Sequence, residues 1–167
     1  MIGAVTEVLS ATDFRAPIDD RWFDDYVVGE TYEYGKLALA ADDIVEFGRQ
    51  YDPQRLHTDP AWAATGPFGG LIASGWQTAG LMMRMYCSHY ISAVASLASP
   101  GVDELRWPAP LRPDESVRLR TTVLESRLSR SKPDRGIVRT GIAVLTDDDR
   151  AVLTGIAMNM VAVRPGS

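Results

Sequence analysis

One stretch limits the possible folds of this chain more than any other. Between Asp59 and Asp103 the only formal charge is Arg84. Inside that stretch, Leu71 to Ala98 is apolar but carries Gln77, Arg84, Ser88 and His89, so it reads as a buried helix rather than a membrane span. The helix runs from near Ser74 to about Tyr90. Trp76, Ala79, Gly80, Met83, Cys87 and Tyr90 make one apolar stripe, and Leu81, Met82 and Met85 make the other sides apolar too. A helix without a polar face has to be wrapped by other structure on most sides. On this reading Cys87 is an inert core thiol and His89 a structural histidine.

The flanking segments supply the wrapping. After Pro100 the pattern changes to strands. Val102 to Trp107 is one candidate. Ser116 to Ser126 alternates, with Val117, Leu119, Thr121 and Val123 on one face. Ile137 to Thr146 and Ala151 to Val163 follow, joined by short polar loops that favour antiparallel pairing. Tyr32 to Leu39 reads as an earlier strand. A helix then opens at Asp42 and Asp43 and is stopped by Pro53, which leaves Asp52 in a turn just past its end. His57 precedes a second, short helix capped by Asp59 and Pro60, and Gly66 to Gly70 is a turn. This order predicts an α+β fold in which a strongly curved antiparallel sheet wraps one long central helix. An open sandwich would leave one helix face wet and charged.

A chain of 167 residues is the size of one domain. Residues 1–20 are expected to form an N-terminal arm, loose or lying on the surface, and residues 21–167 the domain itself. Hydrophobic residues make up 46% and charged residues 23%, which marks a globular chain. A net charge of −5 offers phosphate backbones no general attraction, so nucleic acid is not an expected partner. One cysteine cannot close an internal disulfide, and no basic segment followed by an apolar one opens the chain. Together these point to the cytoplasm, with no membrane partner. Two distant histidines and one cysteine predict no metal site, and no phosphate-cradling glycine fingerprint predicts a nucleotide cofactor.

The chemistry-bearing residues gather just ahead of the long helix. Asp52 and His57 stand five residues apart, followed by the turn into Ser74-Gly75-Trp76. Taken singly, Asp52 satisfies backbone donors in the turn before Pro53 and His57 is a structural histidine. Taken together, they form an acid–base pair facing a helix start. Gly75 either permits tight packing or offers an N–H at the positive end of the helix dipole. Arg130, Lys132 and Arg135 are either a solvated hairpin tip or a contact for phosphates.

The residues quoted so far resemble the MaoC-like acyl dehydratases, the hotdog-fold group that includes (R)-specific enoyl-CoA hydratases. The family signature of an acid, any residue, Asn, Pro, any residue and His stands here as Asp52-Pro53-Gln54-Arg55-Leu56-His57, with Gln54 and Arg55 in place of Asn and Pro. Trp22 to Glu30, Phe68 to Gly75 and Ser129 to Gly136 extend the likeness over roughly residues 20–163. The resemblance implies a hotdog fold and reversible addition of water to a trans-2-enoyl thioester. Asp52 and His57 would activate the water, and the Gly75 N–H would be the oxyanion donor. Gln54 and Ser74 would lie at the substrate, and Arg130, Lys132 and Arg135 at coenzyme A phosphates. It also implies a coenzyme A or acyl-carrier thioester as partner, a (3R)-hydroxyacyl product, no cofactor, and a homodimer or higher homo-oligomer. Two other activities are weighed on the same fold. One is a thioesterase, of a type that carries a carboxylate on the central helix, where residues 74–90 have none. The other is a non-catalytic acyl-binding module.

Overall fold

The computed structural model describes residues 6–166. Six antiparallel strands form one sheet: β1 (Glu7–Val8), β2 (Thr31–Leu37), β3 (Ser96–Arg106), β4 (Val117–Leu128), β5 (Arg135–Thr146) and β6 (Ala151–Ala162). Their order across the sheet is β1-β2-β4-β5-β6-β3. The long hairpins β4–β5 and β5–β6 arise where polar turns separate alternating segments. Val117, Leu119, Thr121 and Val123 all point inward, as the alternation predicts, and each is buried.

Four helices precede the second half of the sheet: α1 (Ala41–Tyr51), α2 (Arg55–Thr58), α3 (Pro60–Thr65) and α4 (Gly75–Met85). A π-helical turn, Tyr86–Tyr90, carries α4 on to the expected end. Leu81, Met82, Met85, Tyr86 and Tyr90 press into the concave side of the sheet. Tyr90 Oη lies 2.8 Å from Thr140 Oγ1, and Asn159 Nδ2 donates to Tyr86 Oη at 2.7 Å. These bonds tie the helix to β5 and β6. An antiparallel sheet curved around one long helix is the hotdog architecture, in the α+β class.

Three expectations need correction. The helix is not enclosed: Trp76, Gly80, Met83 and Cys87 lie on one exposed face, so Cys87 is not a core thiol. Polar Gln77 and Thr78 are buried in their place. A helix that is apolar on every side does not reveal by composition which side the chain itself covers. From Thr6 onward the N-terminal arm is packed on the sheet rather than loose. β1 pairs with β2, and Phe14 is buried and stacked on Tyr32 with centroids 4.2 Å apart. The first five residues of that arm and Ser167 lie outside the described residues. Finally, His57 does precede the helix capped by Asp59 and Pro60, α3, but it also lies within a further short helix, α2, that the sequence reading does not include.

Candidate active site

Helix α1 ends where proline ends it. Asp52 leaves the helix at φ −148° and ψ 72°, its N–H bonded back to Gly48. Pro53 prevents a further turn, and the chain restarts as α2 at Arg55. This break aims the Asp52 side chain across to the start of α4. The close approach of α1 to α2 depends on Gly48, where a Cβ would lie 3.0 Å from both Cβ and the carbonyl oxygen of His57. Any larger residue at 48 would push His57 out of place.

Asp52 is held on both oxygens. Gln54 Nε2 donates to Oδ1 at 2.7 Å, and Ser74 Oγ donates to Oδ2 at 2.7 Å. Ser74 is also the N-cap of α4, its Oγ accepting from Trp76 N at 3.3 Å. One hydroxyl therefore links the carboxylate to the helix start. Burial pushes the Asp52 pKa up, but the bonds from Gln54 and Ser74 and the nearby imidazole outweigh it, and the carboxyl sits below its usual range.

His57 is buried, and its Nδ1 lies 2.8 Å from the carbonyl oxygen of Ile72. A carbonyl only accepts, so Nδ1 carries a proton and a neutral ring presents a bare Nε2. That Nε2 lies 3.3 Å from Asp52 Oδ2. Two acceptors facing each other need a proton or a water to share, and a water beside them can donate one O–H to each.

Gly75 is the first residue of α4, so its N–H has no acceptor within the helix. Trp107 lies against it: the indole Nε1 donates to Gly75 O at 2.8 Å, and a Cβ at position 75 would come within 2.7 Å of the ring. Glycine is required here by the tryptophan packed on it. His57, Gly75 and Trp107 line a cavity of about 270 Å³ whose inner wall includes Thr78, Leu111 and Val152, all buried. Phe68 and Trp107, both part-exposed, stand at its mouth.

Five of the predicted site residues thus converge: Asp52, Gln54, His57, Ser74 and Gly75. Arg130, Lys132 and Arg135 do not join them within one chain. Arg135 is in register with Ala162, ten residues along β6 from Val152 on the cavity wall, or about 30 Å at strand rise. Arg135 is also committed locally, with Nε 2.8 Å from Asp134 Oδ1 and a second bond to Oδ2. Sequence reasoning missed the grip of Trp107 on Gly75 and of the Ile72 carbonyl on His57. Backbone acceptors leave no signature in side-chain identity. Among the described residues no group of His, Cys, Asp and Glu is arranged to hold a metal ion, and no helix is long and apolar enough to cross a membrane.

Residues 25–144 match the MaoC like domain family. The MaoC-like dehydratase from Rhodospirillum rubrum superposes with a TM-score of 0.81 at 35% identity, covering 87% of this chain and 99% of that one. The 3-hydroxyacyl-thioester dehydratase Z of Mycobacterium tuberculosis is 35% identical over 74 residues, which are 44% of this chain and 49% of the dehydratase, about half its length. A Mycobacterium tuberculosis protein with a double hotdog fold aligns at 17% identity with a TM-score of 0.75; 91% of this chain covers 47% of that protein, about one of its two units. The match over residues 25–144, with the fold and the dehydratase relatives, makes this chain a member of the MaoC-like hydratase and dehydratase family.

Proposed function

We propose that the chain adds water reversibly to a trans-2-enoyl-CoA, giving a (3R)-3-hydroxyacyl-CoA. The observation that carries this reading is the pair of acceptors, Asp52 Oδ2 and His57 Nε2, 3.3 Å apart beside a cavity that also meets the first N–H of α4. A water donating to both has its oxygen lone pairs free to attack C3. As the C–O bond forms, one water proton passes to the Asp52–His57 pair, the C2=C3 π electrons move toward C2, and negative charge develops on the thioester oxygen. The Gly75 N–H receives that charge; removing a donor of this kind typically costs ~10²–10³ in kcat. The pair then returns a proton to C2. Both steps use the same two side chains on one face of the substrate, which is syn addition.

The cavity limits the acyl group. About 270 Å³ lies at the lower edge of the ~300–1,000 Å³ usual for ligand pockets, and its floor of Thr78, Leu111 and Val152 is packed from behind. A short acyl portion fits. The test is the loss of conjugated enoyl-thioester absorbance when the protein meets crotonyl-CoA, with octenoyl-CoA and dodecenoyl-CoA as longer comparisons. Asp52→Asn and His57→Gln should each abolish the loss while leaving the protein folded. Hydration that survives both changes removes the site assignment. Release of free thiol without hydration would assign a thioesterase instead.

A further inference from the structure

The cavity wall that touches the start of α4 is poor in backbone donors. Residues 107–116 join β3 to β4 without regular structure, and three of them, Pro108, Pro110 and Pro113, have no N–H to donate. Such a segment cannot close its own hydrogen bonds, so its carbonyls have to be met from outside. Five consecutive members, Trp107 to Leu111, line the cavity. Toward α4 the segment is joined at three points. Trp107 Nε1 donates to Gly75 O at 2.8 Å, Ala73 N donates to Leu111 O at 2.9 Å, and Arg112 Nη2 donates to Phe68 O at 2.8 Å. The helix start and the cavity mouth therefore take their position from this segment.

Arg150 fixes the segment in turn. Its Nη1 donates to the Pro110 carbonyl at 2.9 Å, and that carbonyl has no other donor among the described residues. Its Nη2 pairs with Glu115, whose second oxygen accepts from Arg112 N at 3.1 Å. One guanidinium thus holds the segment at residue 110 directly and at residue 112 through the carboxylate. A planar fork of donors can serve both partners at once, whereas the point charge of a lysine cannot. Arg150 is itself anchored across the turn between β5 and β6. Its N–H donates to Thr146 Oγ1 at 3.2 Å, its carbonyl accepts from Thr146 N at 3.0 Å, and Thr146 is buried. The Arg150 and Glu115 side chains are only 33% and 25% exposed, so solvent screens their contact less than that of an open surface pair.

Arg150 is not among the residues that line the cavity, so it acts on the reaction only through others. We propose that Arg150, together with Glu115, is a positioning residue for the hydration. It sets the wall at Pro110, the wall sets Trp107 and Leu111, and these hold the start of α4 where the Gly75 N–H meets the developing charge. This rests on the hydration reading above. The rival role for such a pair is stability alone. Its loss would then lower the folding equilibrium and leave turnover per folded molecule unchanged.

Arg150→Gln separates the two roles. It should lower kcat for crotonyl-CoA ~10-fold per folded molecule and change KM by less than ~2-fold, because a displaced donor is missed chiefly in the transition state. Arg150→Lys keeps the charge without the fork and should recover part of the loss. Hydrogen exchange read by mass spectrometry gives a second measure that needs no turnover. The amides of residues 72–76 should exchange faster in Arg150→Gln, while the middle of β5 keeps its wild-type rate. Glu115→Gln leaves the Pro110 bond in place and should lower kcat ~3-fold, and it carries both measurements if Arg150→Gln does not fold. Wild-type kcat per folded molecule, a change in KM alone, or unchanged exchange at residues 72–76 overturns the proposal. If the wild-type protein hydrates no enoyl-CoA, the proposed function fails separately, and exchange alone then decides whether Arg150 holds the start of α4.

Discussion

The two ends of the central helix meet the same physical problem and resolve it in opposite ways. Each end of a helix leaves backbone groups without intrahelical partners and carries a partial charge. At the C-terminal end these groups are used up. Arg21, almost fully buried, donates through one nitrogen to the carbonyls of His89 at 2.6 Å and Tyr90 at 2.9 Å, and its other nitrogens bind the Ala16 carbonyl. Its guanidinium lies 3.6 Å from the Phe14 ring centroid. Tyr26 adds a hydroxyl that donates to Tyr90 O and accepts from Ser92 N, and burial pushes its phenol pKa up to about 12. At the N-terminal end Ser74 caps one N–H, while His57 and Gly75 line a cavity and Asp52 Oδ2 stands 3.3 Å from His57 Nε2 beside it. Where polar groups satisfy one another they hold the fold, and where they converge without closing they can act on a substrate.

The sharpest break in this comparison is Asp52→Asn. It should cost ~10²–10⁴-fold in kcat/KM for enoyl-CoA hydration while leaving the thermal midpoint nearly unchanged, read by the ultraviolet assay and by calorimetry on the same sample. Arg21→Met should do the reverse. It removes the side-chain donor from the Ala16 and His89 carbonyls and leaves Tyr90 with Tyr26 alone, at about 1–3 kcal/mol for each unsatisfied group, so urea unfolding should show a loss of at least ~2 kcal/mol. Activity per folded molecule should stay near wild type. If Arg21→Met removed activity without lowering stability, the division of labour between the two ends would be wrong.

A smaller effect sharpens the N-terminal end. Trp107→Phe keeps a ring over Gly75 but removes the bond to its carbonyl oxygen. It should lower kcat ~10-fold with little change in KM, because the Gly75 N–H is freed to drift from the position where charge develops. Gly75→Ala should be worse, since its methyl group must displace the Trp107 ring. A change in KM alone would make Trp107 a wall of the cavity and nothing more.

How far these features were legible in the sequence differs between the two ends. The sheet could be read because alternation in Val117 to Val123 and polar turns such as Asp147 to Arg150 report strands directly. The break at Asp52-Pro53 and the spacing to His57 also follow from local chemistry. The N-terminal arm was harder: a single Phe14 among polar residues carries no periodicity, yet it packs on Tyr32 and under Arg21. Arg21 itself reads as a surface cation, because nothing in its neighbours announces carbonyls from residues 89 and 90. The exposed flank at Trp76, Met83 and Cys87 was read as buried for a related reason. Apolar residues covered by their own chain and apolar residues left open look alike in one sequence.

The mildest change tests how Asp52 is tuned. Its carboxyl is held below its usual range, against the burial that raises it, by donors from Gln54 and Ser74 and by the imidazole. A depressed carboxyl contributes stability that is fully present above the unfolded pKa and is lost as the pH falls through the folded value. Ser74→Ala removes one donor at 2.7 Å, so the folded pKa rises toward the unfolded one and that contribution shrinks. Ionised Asp52 then disappears at a higher pH. The acid limb of kcat/KM should move upward in pH, and activity at neutral pH should fall ~10-fold, in line with one lost bond to a charged group. Ser74→Thr, which keeps the hydroxyl, should restore the limb. If Ser74→Ala lowers activity equally at every pH, the hydroxyl serves the helix cap rather than the carboxylate, and the N-terminal end depends on Gln54 and His57 alone to keep Asp52 ionised.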